Sequence, residues 1–499
     1  METTLSTEDV ANRRPVLIAT TLGSFIIPLM GSSINVALPS IGKEFGLDAV
    51  MLNWVTTSYL LTATMFLIPF GRIADIYGRK KVFLYGFLLY TISSLLSGLS
   101  TSPSFLVVSR VLQGVGASMT YSNGVAILTS VYPVGEMGRV LGINVAAVYT
   151  GLSCGPFLGG LLTRYLGWRS IFLINIPAGL IILFYTLYKL KGEWTEARGE
   201  RFDYMGSLFY SFVLLMVMVG LFHLPRPLGA FFILIGLFGI WIFIKWEMRS
   251  ESPVFRVTLF RNNRIFAFSN LAALIHYSAT FAVGFLLSLY LQLIRGLQPH
   301  EAGLILMSAP VVQAILSPFA GKLSDRIDPR KVASTGMAIT GLSLLLFIFL
   351  DEKTALPSIV TLLILLGFGF SLFSSPNTNA VMGSIDKRFY GVASGVLSTM
   401  RSMGMMFSMG FVMVIFSISM GRTQITPALY PLFLKGMRGT FILFTFLCTL
   451  AILASLMPEK NQKLGHLLLV IVVLTWFKAT GVTKKGTDSQ RTSEPIIMQ

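Results

Sequence analysis

The chain alternates long apolar runs with short polar segments. An apolar helix of about 20 residues crosses the hydrocarbon core of a bilayer. On that rule the pattern predicts fourteen spans, near 16–38, 51–70, 82–100, 104–127, 139–162, 170–189, 204–223, 228–246, 265–293, 302–320, 332–350, 357–379, 389–419 and 438–457. The fourth, fifth, ninth and thirteenth are rich in Gly, Ser, Asn or Met, and small residues let helices approach closely in lipid. Residues 464–477 are also apolar but too few for a comfortable crossing, so they read as an interfacial segment. The stretch from Lys484 is polar and reads as disordered.

The polar segments contain a repeat. Gly71-Arg72-Ile73-Ala74-Asp75-Ile76-Tyr77-Gly78-Arg79-Lys80-Lys81 is echoed by Gly321-Lys322-Leu323-Ser324-Asp325-Arg326-Ile327-Asp328-Pro329-Arg330-Lys331. Glycine, aspartate and the closing basic pair recur in register, with Asp328 where the first copy has Gly78. Gly71 and Gly78 permit tight turns. Each copy follows the second span of a six-span set, which predicts two related halves. The expected organisation is an N-terminal segment (1–15), a six-helix bundle (16–189), an inserted two-span region (190–264), a second six-helix bundle (265–457) and a tail (458–499). The connector bearing Arg249, Arg256, Arg261 and Arg264 reads as a short helix on anionic lipid. With the N-terminus inside, the inside segments carry 22 Lys and Arg against nine in the outside loops. That asymmetry predicts a cytoplasmic N-terminus.

Composition agrees: 54% of residues are hydrophobic and 12% charged, where soluble domains carry about 25% charged residues. The net charge of +17 is scattered through short loops rather than gathered on one face, which argues against nucleic acid as a partner. Cys154 and Cys448 both fall inside spans, so no disulfide framework is implied. No phosphate-cradling G-x-x-x-x-G-K-[ST] occurs, and the four histidines have no metal-ligand spacing. Gly151-Leu152-Ser153-Cys154-Gly155 matches G-x-S-x-G, but a nucleophile elbow needs a strand-turn-helix, and this match lies within an apolar helix. No enzymatic activity, cofactor or metal is expected.

Two spans carry unusual residues. Along span 5, Gly151, Gly155, Pro156, Gly159 and Gly160 place glycines one turn apart on one face, a groove for close packing. Pro156 can kink that helix. In span 4, Arg110 lies inside a membrane-length helix with Gln113 on the same face. An intramembrane charge faces a protein interior or a watery cavity, unless it snorkels to the headgroups.

These motifs together resemble the major facilitator superfamily, and in particular its fourteen-span drug:proton antiporter branch. Gly71–Lys81 looks like the family signature between spans 2 and 3. Arg110, Gln113 and Gly114 fit its span 4 motif. Gly151, Gly155-Pro156 and Gly159-Gly160 fit the antiporter motif of span 5. Asn35-Val36-Ala37-Leu38-Pro39 and Trp54 to Tyr59 look like the branch's first two spans. The resemblance implies an all-α membrane protein of the major facilitator fold. Two six-helix bundles surround a central cavity worked by alternating access, with two additional spans between them. Gly71, Asp75, Gly78, Arg79, Gly321 and Asp325 would form the conformational gate. The branch often has an acid in span 1 where this chain has Met30, and no Asp or Glu lies deep in any expected span. The titrating group would then be His276, Asp75 or Glu301.

The expected function is secondary-active, proton-coupled efflux of amphipathic small molecules by a monomer in the plasma membrane. The cavity would be apolar with dispersed polar groups: Asn35, Trp54, Tyr59, Arg110, Gln113, Asn144, His276 and Gln313. Arg110 without an embedded acid leaves open a facilitator or exchanger of anionic or neutral metabolites. A non-transporting membrane sensor or scaffold is the alternative of another class.

Overall fold

Apolar length locates the helices, and capping residues fix their ends. The computed structural model describes residues 7–132, 134–250, 253, 259–260, 263–385, 390–421, 423 and 425–456. The segment at 464–477 and the connector residues Arg256 and Arg261 lie outside the described residues. Every regular element among the described residues is helical. The first set comprises α1 (Thr7–Phe45), α2 (Ala49–Tyr77), α3 (Arg79–Gly98), α4 (Pro103–Val131), α5 (Val134–Leu166), α6 (Arg169–Leu173) and α7 (Asn175–Lys189). An inserted pair follows, α8 (Tyr204–His223) and α9 (Pro227–Glu247). The second set comprises α10 (Arg264–Thr280), α11 (Val283–Leu289), a π-helical turn (Tyr290–Ile294), α12 (Pro299–Leu306), α13 (Ser308–Ser324), α14 (Pro329–Phe347), α15 (Leu356–Gly383), α16 (Tyr390–Ser419) and α17 (Tyr430–Leu456).

The caps follow from side-chain chemistry. Asp48, Ser102, Asp203 and Asn263 each accept the backbone N–H three residues on, opening α2, α4, α8 and α10. Such a cap satisfies one of the free donors of a first helical turn. Gly78 and Asp328 occupy equivalent places in the repeated loops, each as the N-cap of the next helix. Gly78 needs its missing side chain, because its φ is +125°. A Cβ there would also lie 2.6 Å from the Glu193 carboxyl carbon. Asp328 instead caps α14 by accepting from Arg330 N at 2.9 Å.

Among the described residues twelve helical runs are long and apolar enough to cross a membrane. The fourth and eleventh expected spans, α4 and α14, are long but less apolar. For α4 the reason is its place between α1, α2 and α3. Its Ser109, Arg110, Gln113, Ser118, Thr120 and Asn123 are buried in protein rather than facing lipid.

Apolar runs that read as single spans at 170–189, 265–293 and 302–320 are each broken in the structure. The ninth breaks at Phe281 and Ala282, and the freed Ala282 N–H is taken up by Ser408 Oγ of α16 at 3.0 Å. A break of this kind survives in lipid only when a neighbouring helix satisfies the backbone. The sixth breaks at Ile174, where Asn175 Nδ2 donates to Ile171 O at 2.8 Å.

Within the first set α1 runs along α5, α3 along α4, and α2 against α4. Within the second, α14 packs on α15 and α17, α13 on α15, and α10 on α16 and α17. The inserted α8 lies against α2 and α16, one helix from each set. Its Tyr210 Oη and Ser211 Oγ donate to the Thr64 and Met65 carbonyls, both at 3.0 Å.

Candidate functional site

The two bundles meet chiefly at the end remote from Gly71–Lys81, a segment that reads in sequence as a turn but is helical on both sides of Gly78. There Ser288 Oγ donates to Asn35 O at 2.5 Å and Gln292 Nε2 to Val36 O at 2.9 Å, joining the π-turn region to α1. Arg164 reaches Gln298 Oε1 at 3.0 Å, and Asn53 Nδ2 reaches Met409 O at 3.0 Å. Two glycines make the seam close. A Cβ on Gly160 would lie 2.6 Å from Pro299 O, and one on Gly303 would run into the Pro156 carbonyl oxygen. Gly151, Gly155 and Gly159 face α1 instead: a Cβ on Gly159 would lie 2.7 Å from Ser33 Cα, and Ser33 Oγ donates to Gly155 O at 2.8 Å. Among the described residues no hydrogen bond joins the bundles at the loop end. Among the described residues the seam is therefore hydrogen-bonded at one end and not at the other.

The signature loop is held from its own side. Arg79, 5% exposed, donates to Asp75 Oδ1 at 2.8 Å, Ser130 Oγ at 2.7 Å and Glu196 Oε1 at 2.6 Å. The connector at 190–203 closes over it. Ala197 N–H donates to Asp75 O, Arg79 N–H to Trp194 O, and Lys80 N–H to Glu193 Oε1. Glu200 pairs with Arg72. Sequence reasoning missed these connector acids, although Glu193, Glu196 and Glu200 recur at helical-turn spacing opposite a basic loop. Among the described residues the second copy shows no such clamp: Gly321 faces Ser375, and exposed Asp325 accepts from Asn379 Nδ2 at 3.1 Å.

Arg110 is 1% exposed and internal to the first bundle. Nε donates to Val55 O at 3.0 Å and Nη1 to Gln113 Oε1 at 2.5 Å, while Gln113 Nε2 donates to Ser94 Oγ at 2.7 Å. The guanidinium lies over the Tyr59 ring, 4.3 Å from its centroid. Arg110, Gln113 and Tyr59 thus tie α2, α3 and α4 together. The other expected cavity residues scatter. Trp54 packs edge-on against Phe222 of α8 at 5.2 Å, and Asn144 accepts from Ser24 Oγ at 3.0 Å. Asn35 Oδ1 is buried without a partner. His276 is fully buried, its ring 3.9 Å from that of Phe373 and both nitrogens unpartnered. Met30, at the position of the branch's usual acid, receives Asn175 Nδ2 on its sulfur at 3.2 Å.

Gln313 alone of the expected set joins a polar cluster midway between the bundles. Tyr149 Oη of α5 pairs with Ser374 Oγ of α15 at 2.7 Å, beside Gln313 of α13 and Arg401 of α16. Arg401 Nη2 donates to Thr378 Oγ1 at 2.6 Å and, at 3.4 Å, to Ser374 O. Only Arg401's position inside an apolar run hinted at this cluster. Among the described residues neither Arg110 nor Arg401 has a carboxylate partner. No group of His, Cys, Asp and Glu there could hold a metal.

The model of the Major Facilitator Superfamily matches residues 20–260 and 270–476. Riboflavin transporter RibZ of Clostridioides difficile (strain 630) is 29% identical over 412 residues, covering 82% of this chain and 89% of its own. Multidrug resistance protein Stp of Mycobacterium tuberculosis (strain CDC 1551 / Oshkosh) is 33% identical over 395 residues, 78% of this chain and 73% of its own. Among solved structures, a bacterial homologue of the human lysosomal transporter Spinster, inward-facing and unoccupied, superposes with a TM-score of 0.65. It is 16% identical and covers 89% of this chain and 97% of its own. The peptide transporter POT in complex with sulfate gives 0.64 at 15% identity, covering 94% and 96%. With its family match spanning both bundles, this chain belongs to the major facilitator superfamily and is a multi-pass membrane transporter rather than an enzyme.

Proposed function

We propose that the protein exports amphipathic small molecules by proton-coupled alternating access, as a monomer of the fourteen-span drug:proton antiporter branch. Its N-terminus is cytoplasmic and it resides in the plasma membrane. On this reading α4 and α14 complete the fourteen crossings, and the divisions 1–15, 16–189, 190–264, 265–457 and 458–499 act as N-terminal segment, bundle, insert, bundle and tail. The observation that carries the reading is the asymmetric seam. Hydrogen bonds and glycine contacts close it at the outer end, no hydrogen bond among the described residues joins the bundles at the inner end, and a polar cluster spans its middle. Gly71, Asp75, Gly78, Arg79, Gly321 and Asp325 form the inner gate, Gly160 and Gly303 form the outer seam, and Gly151, Gly155 and Gly159 pack α5 on α1. The name of the multidrug resistance relative supports export.

Purified protein in proteoliposomes tests this. An imposed pH gradient should drive saturable movement of rhodamine 123, and a protonophore should abolish it. Flux indifferent to the gradient would refute proton coupling, and no flux of any amphiphile would refute export. A second reading, exchange or facilitated passage of an anionic or neutral metabolite, is favoured by Arg401 having no carboxylate partner among the described residues.

A further inference from the structure

Arg401 is a cation set at the middle of the inter-bundle interface among hydroxyl and amide groups. It is half-buried on α16. Nη2 is spent on Thr378 and Ser374, Nε is buried without a partner, and Nη1 makes no hydrogen bond among the described residues. Around it lie the Tyr149 and Ser374 hydroxyls and the Gln313 amide, whose buried Nε2 faces Tyr149 without a well-aligned hydrogen bond. Asn377 Nδ2, on the same stretch of α15, is unpartnered. The Tyr277 ring stands 5.7 Å from the guanidinium and meets half-buried Phe370 edge-on at 5.2 Å. A charge held at membrane depth is costly unless something matches it. Here the cation and the spare donors together complement an anion, and the adjoining aromatic wall complements an apolar body. Arg110 offers no such opening, because protein seals it on all sides.

We infer that this cluster is the docking site for an oxyanion, a carboxylate or phosphate-like group, on an amphipathic substrate. The inference rests on the transporter reading and gives its site a charge preference. The guanidinium presents its fork to the oxyanion, Tyr149 and Gln313 flank it, and the ring system of the substrate lies on Tyr277 and Phe370. The first bundle contributes Tyr149 and the second contributes the rest. Occupancy therefore bridges the two parts that move.

Fluorescein and rhodamine 123 share a xanthene frame and carry opposite charge near neutral pH. Their binding to protein in nanodiscs is followed by fluorescence anisotropy. Wild type should bind fluorescein saturably. Arg401→Gln should weaken that binding at least about tenfold, equivalent to about 1.4 kcal/mol, without weakening rhodamine 123. Arg401→Lys keeps the charge and loses the fork, so it should recover only part. Tyr149→Phe should cost about threefold and serves if Arg401→Gln does not fold. Fluorescein binding that is absent in wild type, or unchanged in Arg401→Gln and Tyr149→Phe, overturns the anion site. If rhodamine 123 is still pumped in that case, the exporter reading stands. Arg401-dependent fluorescein binding without flux of any compound supports the site and overturns export instead.

Discussion

Gly160→Val should push the transporter toward its outward-open state. In the observed arrangement a Cβ at Gly160 would lie 2.6 Å from Pro299 O, 2.7 Å from His300 Cα and 3.0 Å from Pro299 C. All three are backbone atoms of the opposite bundle, so no side chain can swing aside. Overpacking of this kind costs about 1–3 kcal/mol. The cost falls only on the state whose outer seam is shut, so the ratio of outward-open to inward-open protein should rise roughly 5- to 150-fold. Spin labels at Tyr165→Cys and Lys353→Cys, in a background lacking Cys154 and Cys448, report the outer gap. Tyr165 is 72% exposed, and Lys353 lies in the exposed loop between α14 and α15. Double electron–electron resonance should show a longer distance gaining weight in Gly160→Val. Gly159→Leu is the control: its neighbour is Ser33 Cα of the same bundle, so it should lower thermal stability and leave the distance distribution unshifted. An unchanged distribution in Gly160→Val, with wild-type transport, would refute the assignment of Gly160 to the moving seam.

Arg79→Gln should release the connector at 190–203. Charge-assisted hydrogen bonds of about 1.5–3 kcal/mol are lost, so amide exchange at Ala197 and Lys80 should accelerate at least about tenfold; unaltered protection would count against the clamp. Arg110→Ala should cost about 3 kcal/mol of stability, because it strips donors from Val55 O and Gln113 and opens a cavity. Binding of anionic and neutral ligands should fall together, and a selective loss of the anion would contradict the sealed geometry. Asp328→Ala should cost about 1 kcal/mol through the lost cap of α14. Burial raises the Asp328 carboxyl, but Arg330 and its backbone N–H outweigh this and hold it below the usual carboxylate range. A depressed folded-state value means the stabilisation is complete above the ordinary carboxylate range and fades as pH falls through the lowered one. Melting curves of Asp328→Ala and wild type should converge in acid, and a constant gap would refute the linkage.

The sequence by itself determined what depends on local chemistry. Apolar length specifies helices in lipid because no other backbone satisfies its own hydrogen bonds there. The repeated Gly–Asp–basic loops mark the internal duplication, and four-residue spacing puts Gly151, Gly155 and Gly159 on one face because a helix turns every 3.6 residues. Tertiary structure decided what depends on partners distant in the chain. Spans 9 and 10 read as continuous, yet span 9 breaks where Ser408 offers an acceptor. Gly159 and Gly160 are adjacent in sequence, but one faces its own bundle and the other the opposite bundle. Asp75 and Asp325 are equivalent in the repeat, but among the described residues Asp75 lies under the acid-bearing connector at 190–203, whereas Asp325 accepts from Asn379. Arg110 and Arg401 look alike as intramembrane arginines. Packing of α2, α3 and α4 seals the first, whereas the second stays half-buried near the interface where Tyr149 and Ser374 meet across 225 residues of chain. Exposure is a property of packed neighbours, and no local pattern encodes which neighbours will come.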